Sequence, residues 1–297
     1  MRKSSAEIIG FGKRFLMKKS EVIQTIKDYC AGSFYGIIDE ATTRDKVLFG
    51  NTDEECTGVV TTCFASADVI RKAAALGCNL IIPHEALFWN HGDHQEWLQS
   101  NRTYQAKAKL LNDNGITVWR CHDHIHNGVP LLPHQYVDGI FYGFAKEAGW
   151  DGNIVHDDAV RASNYSFHGE TALQLAQHLV KTFNLNGTRI VGDPETRVQR
   201  LRIVGHIDGR ADNEILKQFE EDNIDCAITL ECTDYTFNEY IRDSAQLNLP
   251  KAIIMLGHFN AEEPGMKYMA ESWLPQILPK IPVHFVTSGD PFRYVHI

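Results

Sequence analysis

The segment Asn79–Trp89 reads NLIIPHEALFW and decides the interpretation of the fold. Its first half is a continuous apolar run, which is typical of a strand buried on both faces of a parallel sheet. The run ends at His84 and Glu85, so an imidazole and a carboxylate stand side by side at the predicted strand end. Because ligands bind outside the carboxyl ends of such strands, we predict that this pair belongs to a functional site.

The residues around this segment predict a β-α-β unit. Gly58–Thr62 has the composition of a strand, Ser66 can cap a following helix, and Gly77 can end that helix. Leu80–Ile82 is then a second, parallel strand. Further elements are predicted as an opening helix over Ser20–Ala31, a helix over Tyr104–Asn114 and a strand over Ile116–Trp119.

A similar order of elements recurs later in the chain. Strands are predicted over Leu201–Val204, Cys226–Thr229 and Ala252–Leu256, with helices between them, and Glu231 follows the second of these strands much as Glu85 follows Leu80–Ile82. We therefore predict an α/β fold of two related halves that arose by duplication, each a mostly parallel sheet flanked by helices. The halves are assigned to residues 20–130 and 131–297, and the boundary is approximate. An alternative is that the C-terminal segment returns to the first half.

Composition limits the classes of function. The chain has 297 residues, 43% of them hydrophobic and 23% charged, and a formal net charge of −9, which argues against a broad nucleic-acid surface. No stretch approaches the roughly 18 apolar residues of a membrane span. Seven scattered cysteines without a CxxC pair favour a reducing compartment, so we expect a cytoplasmic protein. The basic N-terminus, residues 1–19, is predicted to be an arm or short helix and not a cleaved targeting peptide.

Two further groups of polar residues could join His84 and Glu85. The cluster Cys121–His126 follows a predicted strand, and His258 with Glu262 follows the apolar run Ala252–Leu256. A helix that begins at His258 would place its two polar groups one turn apart. Pro264 favours an alternative, a tight turn into a helix that starts near residues 265–267, and either geometry lets both groups reach one centre.

The central cluster allows more than one arrangement. In an extended segment His122, His124 and His126 share a face, so one could ligate while another orients a carboxylate. Cys121 is expected to pack as a small core residue. Mixed imidazole and carboxylate ligands suit zinc, manganese, iron or nickel. Five or more ligands, two of them carboxylates, exceed what one tetrahedral site requires, so we predict two divalent ions.

At these residues the chain resembles the family of dinuclear-metal proteins related to NGG-interacting factor, also called GTP cyclohydrolase I type 2 homologues. The resemblance covers about residues 50–130 and 200–290. The family's His-His-Pro-Leu-Phe motif corresponds to His84–Phe88, its His-Thr-x-Leu-Asp motif to His122–His126, and its Gly-His-x-x-(Thr)-Glu motif to Gly257–Glu262. A Thr-Gly-Asp/Glu element is similar to Thr229–Glu231.

The resemblance implies a ligand set and an assembly. Transferred position by position, the metal ligands are His84, Glu85, His126, His258 and Glu262. Glu85 replaces a second histidine of the family and His126 replaces an aspartate, so the mixture of imidazole and carboxylate is kept. The family's fold of two related α/β halves, assembled into a toroidal hexamer, implies a homo-hexamer here.

Two functions are compatible with this site. The first is a metal-dependent, cyclohydrolase-like hydrolase acting on a small nucleotide-like, phosphate or cyclic amide substrate, with Glu231 as general base or substrate anchor. The second is a non-enzymatic metal-bearing assembly that serves as a chaperone or regulatory partner. The turn Gly205–Gly209 could receive an anion at a helix N-terminus, although a purely structural turn is the simpler interpretation.

Overall fold

The computed structural model describes residues 17–158, 160–209 and 212–295; the predicted N-terminal arm lies almost entirely outside these ranges. The helices are α1 (Lys19–Tyr29), α2 (Ala67–Ala75), α3 (Arg102–Asp113), α4 (Asp123–Asn127), α5 (Gly139–Ala148), α6 (Ala172–Thr182), α7 (Asp212–Glu221), α8 (Phe237–Gln246), α9 (His258–Tyr268) and α10 (Leu274–Ile277). The strands are β1 (Val47–Phe49), β2 (Val59–Thr62), β3 (Leu80–Pro83), β4 (Thr117–Trp119), β5 (Val129–Leu132), β6 (Gln135–Val137), β7 (Asn164–Thr171), β8 (Arg189–Gly192), β9 (Arg197–Ile207), β10 (Cys226–Cys232), β11 (Ala252–Met255) and β12 (Val283–Phe285).

The first sheet has the strand order β1-β4-β3-β2-β12. Strands β4, β3, β2 and β12 are parallel, and β1 is an antiparallel edge strand. Every residue of β2 and β3 is buried, as the continuous apolar run of Asn79–Trp89 predicted. The C-terminal strand β12 pairs with β2, so the end of the chain contributes to the sheet built mainly from residues 47–119.

The second sheet has the strand order β7-β9-β10-β11-β8. Its three central strands are parallel, whereas β7 and β8 are antiparallel edge strands. Strand β9 continues to Ile207, so Gly205 and His206 belong to a strand and the prediction of a separate turn that starts at Gly205 is wrong. Cross-strand pairing places His206 directly opposite Glu231 on β10. Two helix-flanked sheets confirm the predicted α/β class; their origin by duplication remains a hypothesis.

The structure shows which local conformation is present at two places where the sequence allowed alternatives. Residues 123–127 form the short helix α4, so the extended arrangement of the histidine cluster, one of the alternatives left open, does not occur. Helix α9 begins at His258 and contains Pro264 in its interior, which decides between the two alternatives in favour of the helix and against the tight turn. In both places residues four apart in sequence therefore face the same side of a helix.

Helices α5 and α9 touch through their backbones. A Cβ on Gly143 would lie 2.6 Å from the Cα of Gly265, and a Cβ on Gly265 would lie 2.6 Å from the Cα of Ile140. Helix α9 is also tied to the first sheet, since the Thr61 hydroxyl donates to the Met266 carbonyl at 2.8 Å. These contacts fix α9 between the two sheets, with its first turn beside the end of β3. Among the described helices, none is long and apolar enough to cross a membrane.

Candidate metal centre

Polar side chains from both sheets meet in one cleft of about 550 Å³. Strand β3 delivers His84 and Glu85 just beyond its carboxyl end, α4 delivers two histidines, and the first turn of α9 delivers His258 and Glu262. The described residues contain three groups whose potential ligand atoms lie within 4.8 Å of one another. These groups are His84, His122 and His126; His84, Glu85 and Glu262; and His206, Glu231 and His258.

His84 is fully buried and has one ring nitrogen available. Its Nδ1–H donates to the Cys121 carbonyl at 3.0 Å, so the lone pair resides on Nε2. That Nε2 has no hydrogen-bond partner among the described residues and lies 3.5 Å from Glu262 Oε2. Burial, together with the charges of neighbouring histidines, lowers the pKa of His84 well below its usual range. The ring is therefore neutral, which is the form that binds a metal.

Glu85 is held as a carboxylate by a buried arginine. Arg120 Nη2 donates to Glu85 Oε2 at 3.0 Å, and Arg120 Nε donates to the His84 carbonyl at the same distance. Burial alone would raise the pKa of Glu85, but the neighbouring His258 and the charge of Arg120 lower it. The other oxygen, Oε1, is buried and has no hydrogen-bond partner among the described residues.

The helical form of α4 divides its histidines between two directions. His122 stacks on His84 with ring centroids 4.5 Å apart, and the His126 ring lies 4.9 Å from the His84 ring. Their Nδ1–H groups donate to Asp123 at 3.0 Å and to Asp138 at 2.8 Å, which leaves both Nε2 atoms free as ligands. His124 instead donates to Asp45 at 2.5 Å and lies outside the three candidate groups.

The charges on His122 and His126 differ because their surroundings differ. Burial lowers the pKa of His122, although Asp123 partly compensates. Burial would also lower the pKa of His126, but the charge and hydrogen bond of Asp138 outweigh it and raise that pKa to about 9. Binding of a metal to His126 therefore displaces a proton.

His258 connects the first-sheet ligands with the second sheet. Its Nε2 lies 2.9 Å from Glu262 Oε2 and 3.3 Å from Glu85 Oε1, while its Nδ1–H donates to Glu231. Burial lowers the pKa of His258, and its three carboxylate neighbours together raise it above the usual range. Three carboxylates around the His258 ring favour a positive charge at this position. In the metal-free protein a proton on His258 supplies that charge, and a bound metal ion can replace the proton.

Glu231 lies between two histidines. Its carboxylate accepts hydrogen bonds from His206 and His258, and although burial would raise the pKa of Glu231, these two bonds lower it to about 2. The sequence interpretation did not assign His206 or His122 as ligands. The usable sequence signal was the i, i+4 spacing of His122 and His126; the pairing of His206 with Glu231 follows from the register of β9 against β10, which the sequence does not show.

The residues present fit a transition-metal centre. His84 Nε2, Glu85 Oε1 and Glu262 Oε2 are buried and lie within 4.8 Å of one another; none makes a hydrogen bond of good geometry with the described residues, and His258 Nε2 lies 3.3 Å from Glu85 Oε1 and 2.9 Å from Glu262 Oε2. Buried polar atoms are normally paired, so unpaired ones that converge indicate a ligand. Imidazole nitrogen with carboxylate oxygen suits zinc, manganese, iron or nickel. Cys121, in contrast, is buried with its pKa raised well above the usual range by that burial, and packs in the core as expected.

Comparison with solved structures shows that the fold is known. A Bacillus cereus protein related to NIF3 aligns with a TM-score of 0.68 at 15% identity, covering 94% of this chain and all of that one. The Staphylococcus aureus hypothetical protein SA1388 aligns with a TM-score of 0.67 at 17% identity and the same coverage. A Clostridium perfringens (strain 13 / Type A) protein named GTP cyclohydrolase 1 type 2 homolog is 21% identical over 283 residues, 94% of this chain and all of that protein. The family model Duf34/NIF3 (NGG1p interacting factor 3) matches residues 17–291, and the chain therefore belongs to this family.

Proposed function

We propose that the protein is a hydrolase that depends on two divalent metal ions and acts on a small nucleotide-like, phosphate or cyclic amide compound. The grouping of the buried ligand atoms His84 Nε2, Glu85 Oε1 and Glu262 Oε2 within 4.8 Å of one another, beside an open cleft, supports this proposal most directly. When bound, such ions lower the pKa of water and polarise the bond under attack. A cleft of about 550 Å³ has the size of a small-molecule site.

The side chains group around two positions. His84, His122 and His126 offer three nitrogens to one ion, and Glu85, His258 and Glu262 surround the second position. Glu262 lies 3.5 Å from His84 Nε2 and 2.9 Å from His258 Nε2, so its carboxylate would be in reach of both ions if two are bound. Asp123, Asp138 and the Cys121 carbonyl fix the tautomers of the three histidines by accepting their Nδ1–H groups.

We propose a positioning role for Glu231 in this reaction. As a free general base it would need a pKa closer to neutrality than the value of about 2 that its two histidine bonds impose. Its contact with His258 Nδ1 instead orients the ring so that Nε2 faces Glu85 and Glu262. His206, on the outer side of Glu231, is exposed at the cleft and can exchange a proton with solvent.

Metal analysis followed by an activity panel tests the proposal. Protein purified without added metal is analysed for transition metals, reloaded with the ion found, and assayed against nucleotides, phosphoesters and cyclic amides. Hydrolysis that depends on the ion and is lost in His258→Ala supports the proposal. Metal-loaded protein without turnover across all three classes contradicts it and favours the non-enzymatic assembly. The family membership also motivates a homo-hexameric state, which is tested separately below.

A further inference from the structure

A row of three side chains crosses the second sheet beside the metal centre. Thr229 on β10 pairs with Met255 on β11, and Met255 pairs with Arg189 on β8. Residues directly opposite each other on neighbouring strands project from the same face of a sheet. Together with Arg293 and Tyr294 of the C-terminal segment, these side chains line a cavity of about 400 Å³.

The C-terminal segment is fixed in place over this row. The Asn186 backbone N–H donates to Asp290 at 2.8 Å, and the Asn186 side chain donates to the Phe292 carbonyl at 2.7 Å. A Cβ at Gly187 would come within 2.9 Å of the Tyr294 ring, so the Tyr294 side chain packs directly on the Gly187 backbone. The wall that carries Arg293 is therefore built by specific contacts.

The cavity contains polar groups that no described residue satisfies. Thr229 is only 1% exposed, yet its hydroxyl has no hydrogen-bond partner in the described part of the chain. Arg189 and Arg293 form no ion pair with any described carboxylate. A buried hydroxyl without a partner costs free energy, so Thr229 requires a bound partner, and the exposed guanidinium groups of Arg189 and Arg293 at the same cavity are available to bind an anion.

The carboxylates near the cavity are already engaged. Both oxygens of Glu231, which borders the cavity, accept hydrogen bonds from His206 and His258. Asp290 accepts from the backbone N–H groups of Asn186 and Phe292. Neither acid forms a described bond to Arg189 or Arg293.

We propose that this cavity binds the phosphate group of a small molecule. Guanidinium groups recognise phosphate oxygens by paired, charge-assisted hydrogen bonds, and the Thr229 hydroxyl supplies a further donor from the floor of the cavity. The volume of about 400 Å³ accommodates a ligand larger than the phosphate itself. This site goes beyond the proposed hydrolase function and does not depend on it, although Leu230 lines both cavities and Glu231, which lines the second, contacts His258.

Calorimetric titration of the metal-loaded full chain with inorganic phosphate tests the proposal. We expect a saturable isotherm. Arg189→Gln and Arg293→Gln should each raise the dissociation constant for phosphate about tenfold, because each removes a charge-assisted hydrogen bond. Arg71→Gln is the matched control, since Arg71 is on α2 and pairs with Asp68 at 2.6 Å. The control should leave the dissociation constant unchanged.

Thr229→Val separates binding from folding. Valine has nearly the shape of threonine, and removal of a buried hydroxyl that has no partner should not lower the melting temperature. We expect phosphate binding to weaken while the melting temperature is maintained or rises. Absence of a saturable isotherm overturns the proposal. A second outcome also overturns it: phosphate binding is unchanged in Arg189→Gln, Arg293→Gln and Thr229→Val but is lost in His258→Ala. That pattern would place the phosphate on the metal centre.

Discussion

His122, the N-cap residue of α4, precedes His126 by one helical turn; the two ring centroids are 5.0 Å apart and their Nδ1–H groups donate to two different aspartates. The residue between them, His124, donates instead to Asp45, which lies at the start of the helix. An i, i+4 pair thus supplies two nitrogens to one centre, and each ring is fixed from behind by a carboxylate. This arrangement makes the contributions of the three histidines distinguishable by mutation.

His126→Ala should reduce the metal content of the purified protein more than His124→Ala does. His126 presents a free Nε2 beside His84, whereas His124 belongs to none of the candidate metal groups. His122→Ala should resemble His126→Ala for the same reason. Elemental analysis of the three variants measures this order. A larger loss in His124→Ala would show that α4 is rotated relative to the described geometry.

Glu262→Gln should cost at least one of the two metal ions. The carboxylate lies 3.5 Å from His84 Nε2 and 2.9 Å from His258 Nε2, and a neutral amide is a poor bridge between two ions. The adjacent Glu263→Gln is the control, because Glu263 accepts hydrogen bonds from Thr287 and Ser288 and belongs to no candidate metal group. Equal metal content in both variants, measured by elemental analysis, would contradict a bridging Glu262.

The sequence predicted the strands more reliably than the site geometry. Apolar runs such as Leu80–Ile82 and Ala252–Leu256 identify β3 and β11 because burial on both faces requires continuous hydrophobicity. The five residues transferred from the family resemblance all lie in the cleft or directly behind it. Those predictions need only the order of elements and the position of strand ends.

Features set by tertiary contacts were not predictable. A five-residue helix such as α4 has little intrinsic stability; Asp45 stabilises its start by accepting the backbone N–H groups of His122, Asp123 and His124. The pairing of His206 with Glu231 depends on the register of β9 against β10, which sequence alone does not determine. For the same reason the prediction of a turn that starts at Gly205 was wrong, and the sequence could not choose between a helical and an extended histidine cluster.

Asp138→Asn should weaken metal binding by roughly 10- to 100-fold, the usual effect of losing a carboxylate behind a ligating histidine. Asp138 Oδ2 accepts from His126 at 2.8 Å, while Oδ1 accepts from the N–H groups of Ile140 and Phe141 at the start of α5. The side-chain oxygen of asparagine can still cap α5, but its amide NH2 group cannot accept the hydrogen bond from His126 at the same time. Competition with a chelator measures the affinity, and exposed Asp151→Asn is the control. Unchanged affinity in Asp138→Asn would mean that His126 does not bind metal.

Lys107→Met should remove a pH dependence of stability between about pH 7 and pH 10. Lys107 is 6% exposed, donates to the Leu87 carbonyl, and lies 4.4 Å from the centre of the Phe64 ring; its burial lowers its pKa to about 7. The unfolded chain holds more protons in this range, so the free energy of unfolding should rise with pH, by at most about 1.4 kcal/mol per pH unit.

Denaturant titrations at several pH values measure this slope. Lys109→Met is the control, since Lys109 is exposed on the same helix and pairs with Asp113 at 2.6 Å. The control should retain the slope that Lys107→Met loses. Identical slopes in both variants would show that the Lys107 amine stays fully charged in the folded protein.

Light scattering at micromolar concentration should give a mass of roughly 200 kDa, six times the 33.6 kDa chain, because closed symmetric rings are a common form of homo-oligomer. The motivation is membership of the Duf34/NIF3 family and the hexamer that the family resemblance implies. A ring would restrict access to the cleft to small molecules or flexible segments, which agrees with its volume of about 550 Å³. A monomer mass would reject the hexamer and remove this restriction, and larger substrates would then have to enter the hydrolase panel.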